Sequence, residues 1–552
     1  MQQSLPAPNV PAAGARNPLT HSTGRTRLLL LLLILGAFAL RTSTLARQSL
    51  WRDEVDAIFM ALRPLEQTLS MFTAMAQNGP LYFLTLRPWI QMAGSSEFAL
   101  RYLSALAGVA AVPLLWQVAR RITRGAPATV PALAALLLAI NPYALWYSQE
   151  GKMYAIVMLL ALAATWAWLC GIEGGNVGGG ARTWIAYTLC MTLAMYYHLL
   201  AVLLIPLHML WFAIAFPAAR KRWRAYGLAL AALTLPYLPL LVWQWAMLRA
   251  PDQVTGFGFT PLGEMLKTIF LNQTRGFMPG DPVWLLTPIF FAAALGLLLG
   301  WSELHGAPAG MYAGAPNPIP PLRRYGLLAA WLAAPILGIW LLSLRQPVFT
   351  DRYVAWTLPA TLIFVALGVQ VVRSSLGRAG APLALLLAAT ICAVWLYTDF
   401  QQVRTTVKFD LRGAVHHVAA RRAPESLLLL QIPHLEYAFR YYSGDQGAAP
   451  FAGSDARLGH WAGGLWTNGG ADDATAAAEA DAQMRSMTNA DCDIWVMRSE
   501  VEMWDQRGLM GAWLAQHATL LEQADFHGVQ VLHYQLQPNP IEPIYDPTLD
   551  EG

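Results

Sequence analysis

The chain has 552 residues, of which 56% are hydrophobic and only 13% are charged. So little charge cannot cover the surface of a soluble protein of this length, so the composition is that of a polytopic membrane protein. The net charge of +4 is too small and too dispersed for a nucleic-acid partner, and none of the four cysteines falls into a metal-ligand spacing or an evident disulfide pair.

Residues 1–27 read as a cytoplasmic N-terminal tail. The first apolar run, Leu28 to Leu40, follows Arg25 and Arg27 and lacks a small-residue cleavage site, which makes it a retained signal anchor. A spanning helix needs roughly 20 mostly apolar residues, and on that rule the sequence predicts about eleven spans. They lie near Leu28–Leu45, Phe98–Val118, Val130–Trp146, Tyr154–Cys170, Trp184–Tyr197 and Leu199–Phe216. The others lie near Tyr226–Trp245, Val283–Trp301, Tyr325–Leu344, Val354–Val372 and Pro382–Tyr397. A shorter run, Leu81 to Ala93, is interrupted by Arg87 and Pro88 and reads as an interfacial or re-entrant helix.

The basic residues test this layout. Arg120, Arg121 and Arg124, then Arg220 to Arg224, Arg323 and Arg324, and Arg373 and Arg378 all fall on one side if the N-terminus is cytoplasmic. That is the distribution the positive-inside rule requires. Most acids of the connecting loops, including Asp53, Glu54, Asp56, Glu150 and Asp351, fall on the other side.

After Tyr397 the composition changes. "DLRGAVHHVAARRAPESLLLLQI" predicts an amphipathic helix and then a buried strand, "LEYAFRYYSG" a helix ending at Gly444, and "DCDIWVMRS" a second strand. "VEMWDQRGLMGAWLAQHATLL" has helical spacing and "GVQVLHYQL" alternates like a final strand, while "GGADDATAAAEADAQ" reads as a loop or an exposed helix. The expected organisation is therefore an all-α polytopic membrane domain over residues 28–398 and a small extracytoplasmic α/β domain over residues 399–552.

Three outer loops carry carboxylates beside cations: "SLWRDEVDAI" with Asp53 and Glu54, "LWYSQEGKMYAI" with Glu150 and Lys152, and "QPVFTDRYVAW" with Asp351, Arg352 and Tyr353. A fourth outer segment offers Phe257, Phe259 and Phe270 to line an apolar cleft. Such a rim suits transfer of a sugar from a lipid phosphate. A cation at headgroup level neutralises the charge that builds on the departing phosphate. One carboxylate within hydrogen-bond reach then takes the proton of the attacking hydroxyl. Asp53 and Glu54 cannot both be that base, because adjacent residues point about 100° apart on a helix and to opposite faces of a strand.

These motifs carry a resemblance. "LWRDE" resembles the acidic signature of the GT-C superfamily of integral-membrane glycosyltransferases, and "NGPLYFLTLRPWIQMAGSSEFALRYLSALAG" is similar to a block of its bacterial branch. That branch includes protein O-mannosyltransferase-like, aminoarabinose-transferase-like and RgtA/B/C/D-like enzymes. "SQEGKMYAI", "FTDRYVAWTLPA" and "DLRGAVHHVA" followed by "FRYYSG" extend the likeness along most of the chain. The resemblance implies a GT-C fold, with Asp53 as catalytic base, Glu54 beside it and Glu150 as the second-loop acid that positions donor or acceptor. It implies Lys152 and Arg352 at the donor phosphate, and Tyr82, Tyr353 and Asn78 along the donor site. It further implies a polyprenyl-phosphate sugar donor, a glycan, lipid or protein acceptor in the cell envelope, inversion at the sugar, and the inner membrane as location. Asn78-Gly79 stands where His or Pro is common, and Gly151 where Ala is usual. Those departures bear on which sugar is taken, not on the reaction type.

The competing readings are a transporter or flippase for lipid-linked saccharides and a non-catalytic scaffold. A transporter calls for ionisable groups or broken helices at mid-membrane depth, whereas the charge here crowds the outer rim. A divalent cation is left open, and the sequence requires none. His198 reads as a satisfied polar residue, His416-His417 as a surface pair, and Asn272-Gln273-Thr274 as a chance glycosylation sequon.

Overall fold

The computed structural model describes residues 24–71, 79–174, 180–249, 258–278, 280, 283–305, 319–432, 434–444, 457–461, 472–488, 493–501 and 505–537. Up to residue 404 the regular elements among them are helices. In chain order these are α1 (Gly24–Thr42), α2 (Arg52–Leu62), α3 (Leu65–Ser70), α4 (Pro80–Ala93), α5 (Glu97–Ile122), α6 (Thr129–Ile140), α7 (Pro142–Ser148), α8 (Tyr154–Glu173) and α9 (Ala181–Tyr197). There follow α10 (Leu204–Ile214), α11 (Phe216–Ala219), α12 (Trp223–Arg249), α13 (Leu262–Arg275), α14 (Thr287–Leu299), α15 (Pro321–Ser343), α16 (Leu358–Ser375) and α17 (Gly377–Arg404).

Among the described residues five continuous helical segments are long and apolar enough to cross a membrane: α5, α8, α15, the segment Asp351–Ser375 that ends in α16, and α17. Two bent pairs would raise the number to seven. The bends depart from the expected layout. The stretch Val130–Trp146, expected as one span, is two helices, α6 and α7, meeting at 55°. Pro142 has no N–H to continue the ladder, and the Asn141 carboxamide caps the new helix by accepting from the Ala144 amide at 2.9 Å. The expected span Leu199–Phe216 starts as a 3₁₀ turn over Leu199–Leu203 and meets the following helices at 91°.

Among the segments long and apolar enough to span, α16 sits at the centre: every residue from Leu358 to Val372 is buried. α14 lies against it through two glycines, since a Cβ on Gly296 would strike the Phe364 carbonyl and one on Gly368 the Ala292 carbonyl. Small residues permit this backbone approach, which is how helices pack where lipid supplies no hydrophobic drive. α17 is by contrast largely exposed, with Leu383, Leu385, Leu386 and Leu396 on its open face, and it runs through residue 398 to Arg404.

Beyond α17 come α18 (Leu411–Arg421), β1 (Leu427–Leu430), α19 (Leu435–Ser443), β2 (Leu458–His460), α20 (Asp473–Met487), β3 (Asp493–Arg498), α21 (Leu509–His517), β4 (Ala518–Phe526) and β5 (Val529–Leu536). The strands form one sheet in the order β2-β1-β3-β5-β4. β1 is parallel to β2 and β3, with Leu428 beside Trp495, and β5 is antiparallel to β3 and β4. β1 reads as four leucines in a row because both its faces are buried. The run expected as one helix through "HATLL" ends at His517, and Ala518 onward is strand β4, paired to β5 across the turn at Gly528, whose φ is +69°. The Ala-rich segment is the helix α20.

Candidate functional site

Leu45 to Trp51 leads into α2, whose third residue is Glu54. Glu54 is completely buried. Arg101, on α5, grips it with two parallel bonds, Nε to Oε1 at 2.8 Å and an Nη to Oε2 at 2.7 Å. The Gly151 amide donates to Oε1 at 2.6 Å, and Lys408 Nζ to Oε2 at 3.0 Å. Arg101 also donates to the carbonyls of Leu45, Gln48 and Ser49, so it shapes the loop as well as pairing the acid. Burial alone would push the Glu54 carboxyl up, but Arg101, Lys408 and these hydrogen bonds outweigh it and hold it at about 2.

One residue earlier, Asp53 turns the other way. Its side chain is 22% exposed and lies 3.5 Å from Arg352 and 3.9 Å from Arg52. Burial raises its pKa, yet Lys152, Arg352 and Arg52 together carry it below the usual carboxylate value. The Arg352 guanidinium stands over the rings of Trp51, Tyr154 and Tyr353 at 5.5, 5.6 and 5.9 Å. His198 packs on Tyr353 at 4.6 Å, and burial, with Arg352 nearby, drops its imidazole to about 3.

Glu150 occupies the third position. It is 1% exposed, and neither carboxylate oxygen has a hydrogen-bond partner among the described residues. Burial pushes it to about 7, only partly offset by Lys408 and Arg352. The Tyr82 hydroxyl and Arg352 Nε are likewise buried without a hydrogen-bond partner among the described residues. Native interiors leave few such groups unsatisfied, and a cluster of them wants an explanation. Asp56, one helical turn from Asp53, is raised to about 7 by burial against the opposing charge of Lys152.

The structure thus brings Asp53, Glu54, Glu150, Lys152, Arg352, Tyr353 and Tyr82 to one end of the bundle. Asn78 lies outside the described residues, as does Phe257. Phe259 is exposed and Phe270 packs against the core. Asp351 faces away from Asp53: it accepts from the Asn272 carboxamide at 3.1 Å. With Gln273 and Thr274 buried, that sequon is spoken for. His417 is not a free surface histidine but meets Glu522 at 3.0 Å.

Sequence reasoning missed Arg101 and Lys408, and it weighed His198 as a substrate contact or, more often, a satisfied polar residue. It also missed how closely the sheet-bearing unit bears on the site. The carboxyl ends of the parallel strands β1 and β3 lead to His434 and Glu500. The first lies 3.7 Å from Asp56 and the second 2.5 Å from Arg52. Tyr437 stacks on Phe59 of α2 at 4.0 Å. At the far end of the bundle Glu173 gathers Arg121, Arg124 and Arg324 at 2.7, 3.3 and 3.5 Å. Among the described residues no group of three or more His, Cys, Asp or Glu is disposed to hold a metal ion.

Comparison with known proteins bears on this arrangement. Residues 77–243 match the family described as dolichyl-phosphate-mannose-protein mannosyltransferase. No curated protein matches the chain. Among solved structures, ArnT from Cupriavidus metallidurans bound to undecaprenyl phosphate is similar over 93% of this chain and 98% of its own, at 13% identity and a TM-score of 0.53. The Archaeoglobus fulgidus oligosaccharyltransferase in complex with Zn and sulfate is similar over 91% of this chain and 73% of its own, at 14% identity and a TM-score of 0.56. The arabinofuranosyltransferase AftD from Mycobacteria is similar over 93% of this chain and 40% of its own, at 15% identity and a TM-score of 0.51. The fold is that of GT-C membrane proteins, helices with a small C-terminal sheet.

Proposed function

Given a chain with the GT-C fold, we propose that it is a glycosyltransferase that moves one sugar from a polyprenyl-phosphate donor to a hydroxyl of a cell-envelope glycan, lipid or protein. The observation that carries this reading is the juxtaposition of Asp53, an ionised and accessible carboxylate 3.5 Å from Arg352, with the unsatisfied polar groups of Glu150, Tyr82 and Arg352. A sugar phosphate supplies the partners those groups lack.

Asp53 takes the proton of the acceptor hydroxyl as its oxygen bonds to the anomeric carbon. The bond from that carbon to the phosphate oxygen breaks in the same step, and the oxygen leaves with the electron pair. Arg352 and Lys152 neutralise the charge that grows on the departing lipid phosphate. One displacement inverts the anomeric centre. Glu54, saturated by Arg101, Lys408 and Gly151, fixes the orientation of α2 rather than reacting. The proposed location is the inner membrane, with this site and the sheet-bearing unit outside. The arginines drawn to Glu173 at the opposite end support it, since basic clusters stay on the cytoplasmic side.

The test is mass spectrometry of lipids that copurify with Asp53→Asn from native membranes. The expected result is a trapped polyprenyl phosphate bearing a single sugar, whose mass names the sugar. Bulk phospholipid alone, with variant and wild type indistinguishable in cells, would overturn the reading in favour of a transporter or a scaffold.

A further inference from the structure

Lys408 belongs to the short segment that leads from α17 into the sheet-bearing unit, yet its ammonium is buried inside the candidate site. Its Nζ donates to Glu54 Oε2 at 3.0 Å and to the Gln149 carbonyl at 3.4 Å, and it lies 5.3 Å from the centre of the Trp146 ring. One group therefore joins the loop of Asp53 and Glu54 to the loop of Glu150. The segment that carries it is itself stapled down. Gln48 Oε1 accepts from the Val407 and Lys408 amides at 3.0 and 2.9 Å. Gln48 Nε2 donates to the carbonyls of Gln402 and Thr405. Arg412 reaches Glu97 at 2.7 Å, and the Tyr442 hydroxyl bridges Glu97 and the Leu50 amide at 2.7 Å each.

Burying an ammonium is costly unless it is paired and hydrogen-bonded. Glu54 is already matched by Arg101, so pairing Glu54 does not by itself call for a second cation. Glu150 does, because it has no hydrogen-bond donor of its own among the described residues. Lys408 is the first of the two cations that oppose its burial. We propose, on the transferase reading above, that Lys408 is a positioning residue of the site: it ties the two acid-bearing loops together, balances the charge of Glu150, and makes the sheet-bearing unit an integral part of the donor site.

The groups that face Lys408 and Glu150 are Arg101 from α5, Glu54 and Asp53 from α2, Arg352 before α16, and the tyrosines Tyr82, Tyr143, Tyr147 and Tyr154 from α4, α7 and α8. Among them Glu150 titrates in the neutral range, and ionising it sets a second negative charge beside the lipid phosphate. Removing Lys408 takes away a cation that favours the ionised form, so Glu150 ionises at a higher pH.

The experiment measures binding of undecaprenyl phosphate to the full chain in nanodiscs from pH 5.5 to 9. The expected result is a pH midpoint of affinity that moves up by about one unit in Lys408→Met and returns in Lys408→Arg. Lys408→Gln, which keeps a donor toward Glu54, takes its place if Lys408→Met does not fold. Asp56 titrates in the same window, so the pair is repeated on Glu150→Gln, where the Lys408 effect should vanish. An unmoved midpoint, or a shift that persists without Glu150, would overturn the proposal alone. Wild type that binds no undecaprenyl phosphate at any pH would overturn the donor reading and the proposal with it.

Discussion

Glu54 and Glu150 are both fully buried carboxylates at the same end of the bundle, and their surroundings are opposite. Glu54 is met by Arg101, Lys408 and the Gly151 amide. Glu150 meets no hydrogen-bond donor among the described residues. Burial penalises each of them alike, so the neighbours decide the charge: about 2 for the first and about 7 for the second. A clamped acid of the first kind holds a loop in place. An acid left open, beside an open tyrosine hydroxyl and guanidinium nitrogen, is poised to receive a polar ligand.

Breaking the clamp is the largest expected effect. Arg101→Met leaves Glu54 buried with Lys408 as its one paired cation and the Gly151 amide, and should cost about 3–5 kcal/mol of stability, whereas Glu150→Gln, which removes no hydrogen bond, should leave the melting temperature at pH 7 unchanged or higher. Thermal melting of both variants in one detergent checks this.

The two acids should also give stability opposite slopes with pH. The Glu54 pKa is depressed on folding, so its contribution is present above the unfolded value of 4.5 and is lost as pH falls toward 2. The Glu150 pKa is raised, so its contribution is present below 4.5 and is lost as pH rises through 7. Each shift is worth on the order of 3 kcal/mol. Melting against pH should show both losses in wild type, and in Glu150→Gln the acid-side loss should stay while the loss between pH 4.5 and 7 shrinks to the part that Asp56 carries. If Glu150→Gln retains the loss between pH 4.5 and 7 undiminished, Glu150 is not its source.

Much of this was legible in the sequence, and the parts that were not have a common cause. Asp53, Glu150, Lys152 and Arg352 announce themselves because charge beside an apolar run marks a loop end, and the strands β1, β3 and β5 because short apolar or alternating runs are local signals. Arg101 and Lys408 are single cations in unremarkable stretches. Their meaning lies in a partner 47 residues away for one and 354 for the other, and no local pattern encodes that. The break at Asn141-Pro142 was hidden by an apolar run that suits a span and takes no account of the missing amide.

Gly151 sharpens the contrast at smaller scale. The resemblance suggests alanine there, but a Cβ would lie 2.6 Å from Leu100 Cγ and 3.4 Å from Glu54 Oε1. Gly151→Ala should therefore cost about 1–3 kcal/mol through overpacking, visible as a lower melting temperature. An unchanged one would mean that the loop of Glu150 does not depend on its contact with Glu54.

The most direct test is a cryo-EM structure of the protein with undecaprenyl phosphate bound. The phosphate is expected within hydrogen-bond reach of Arg352, on the side of Asp53, Glu150 and Tyr82. A phosphate seated instead at the other end of the bundle, among Arg121, Arg124 and Arg324, would contradict the assignment of the site.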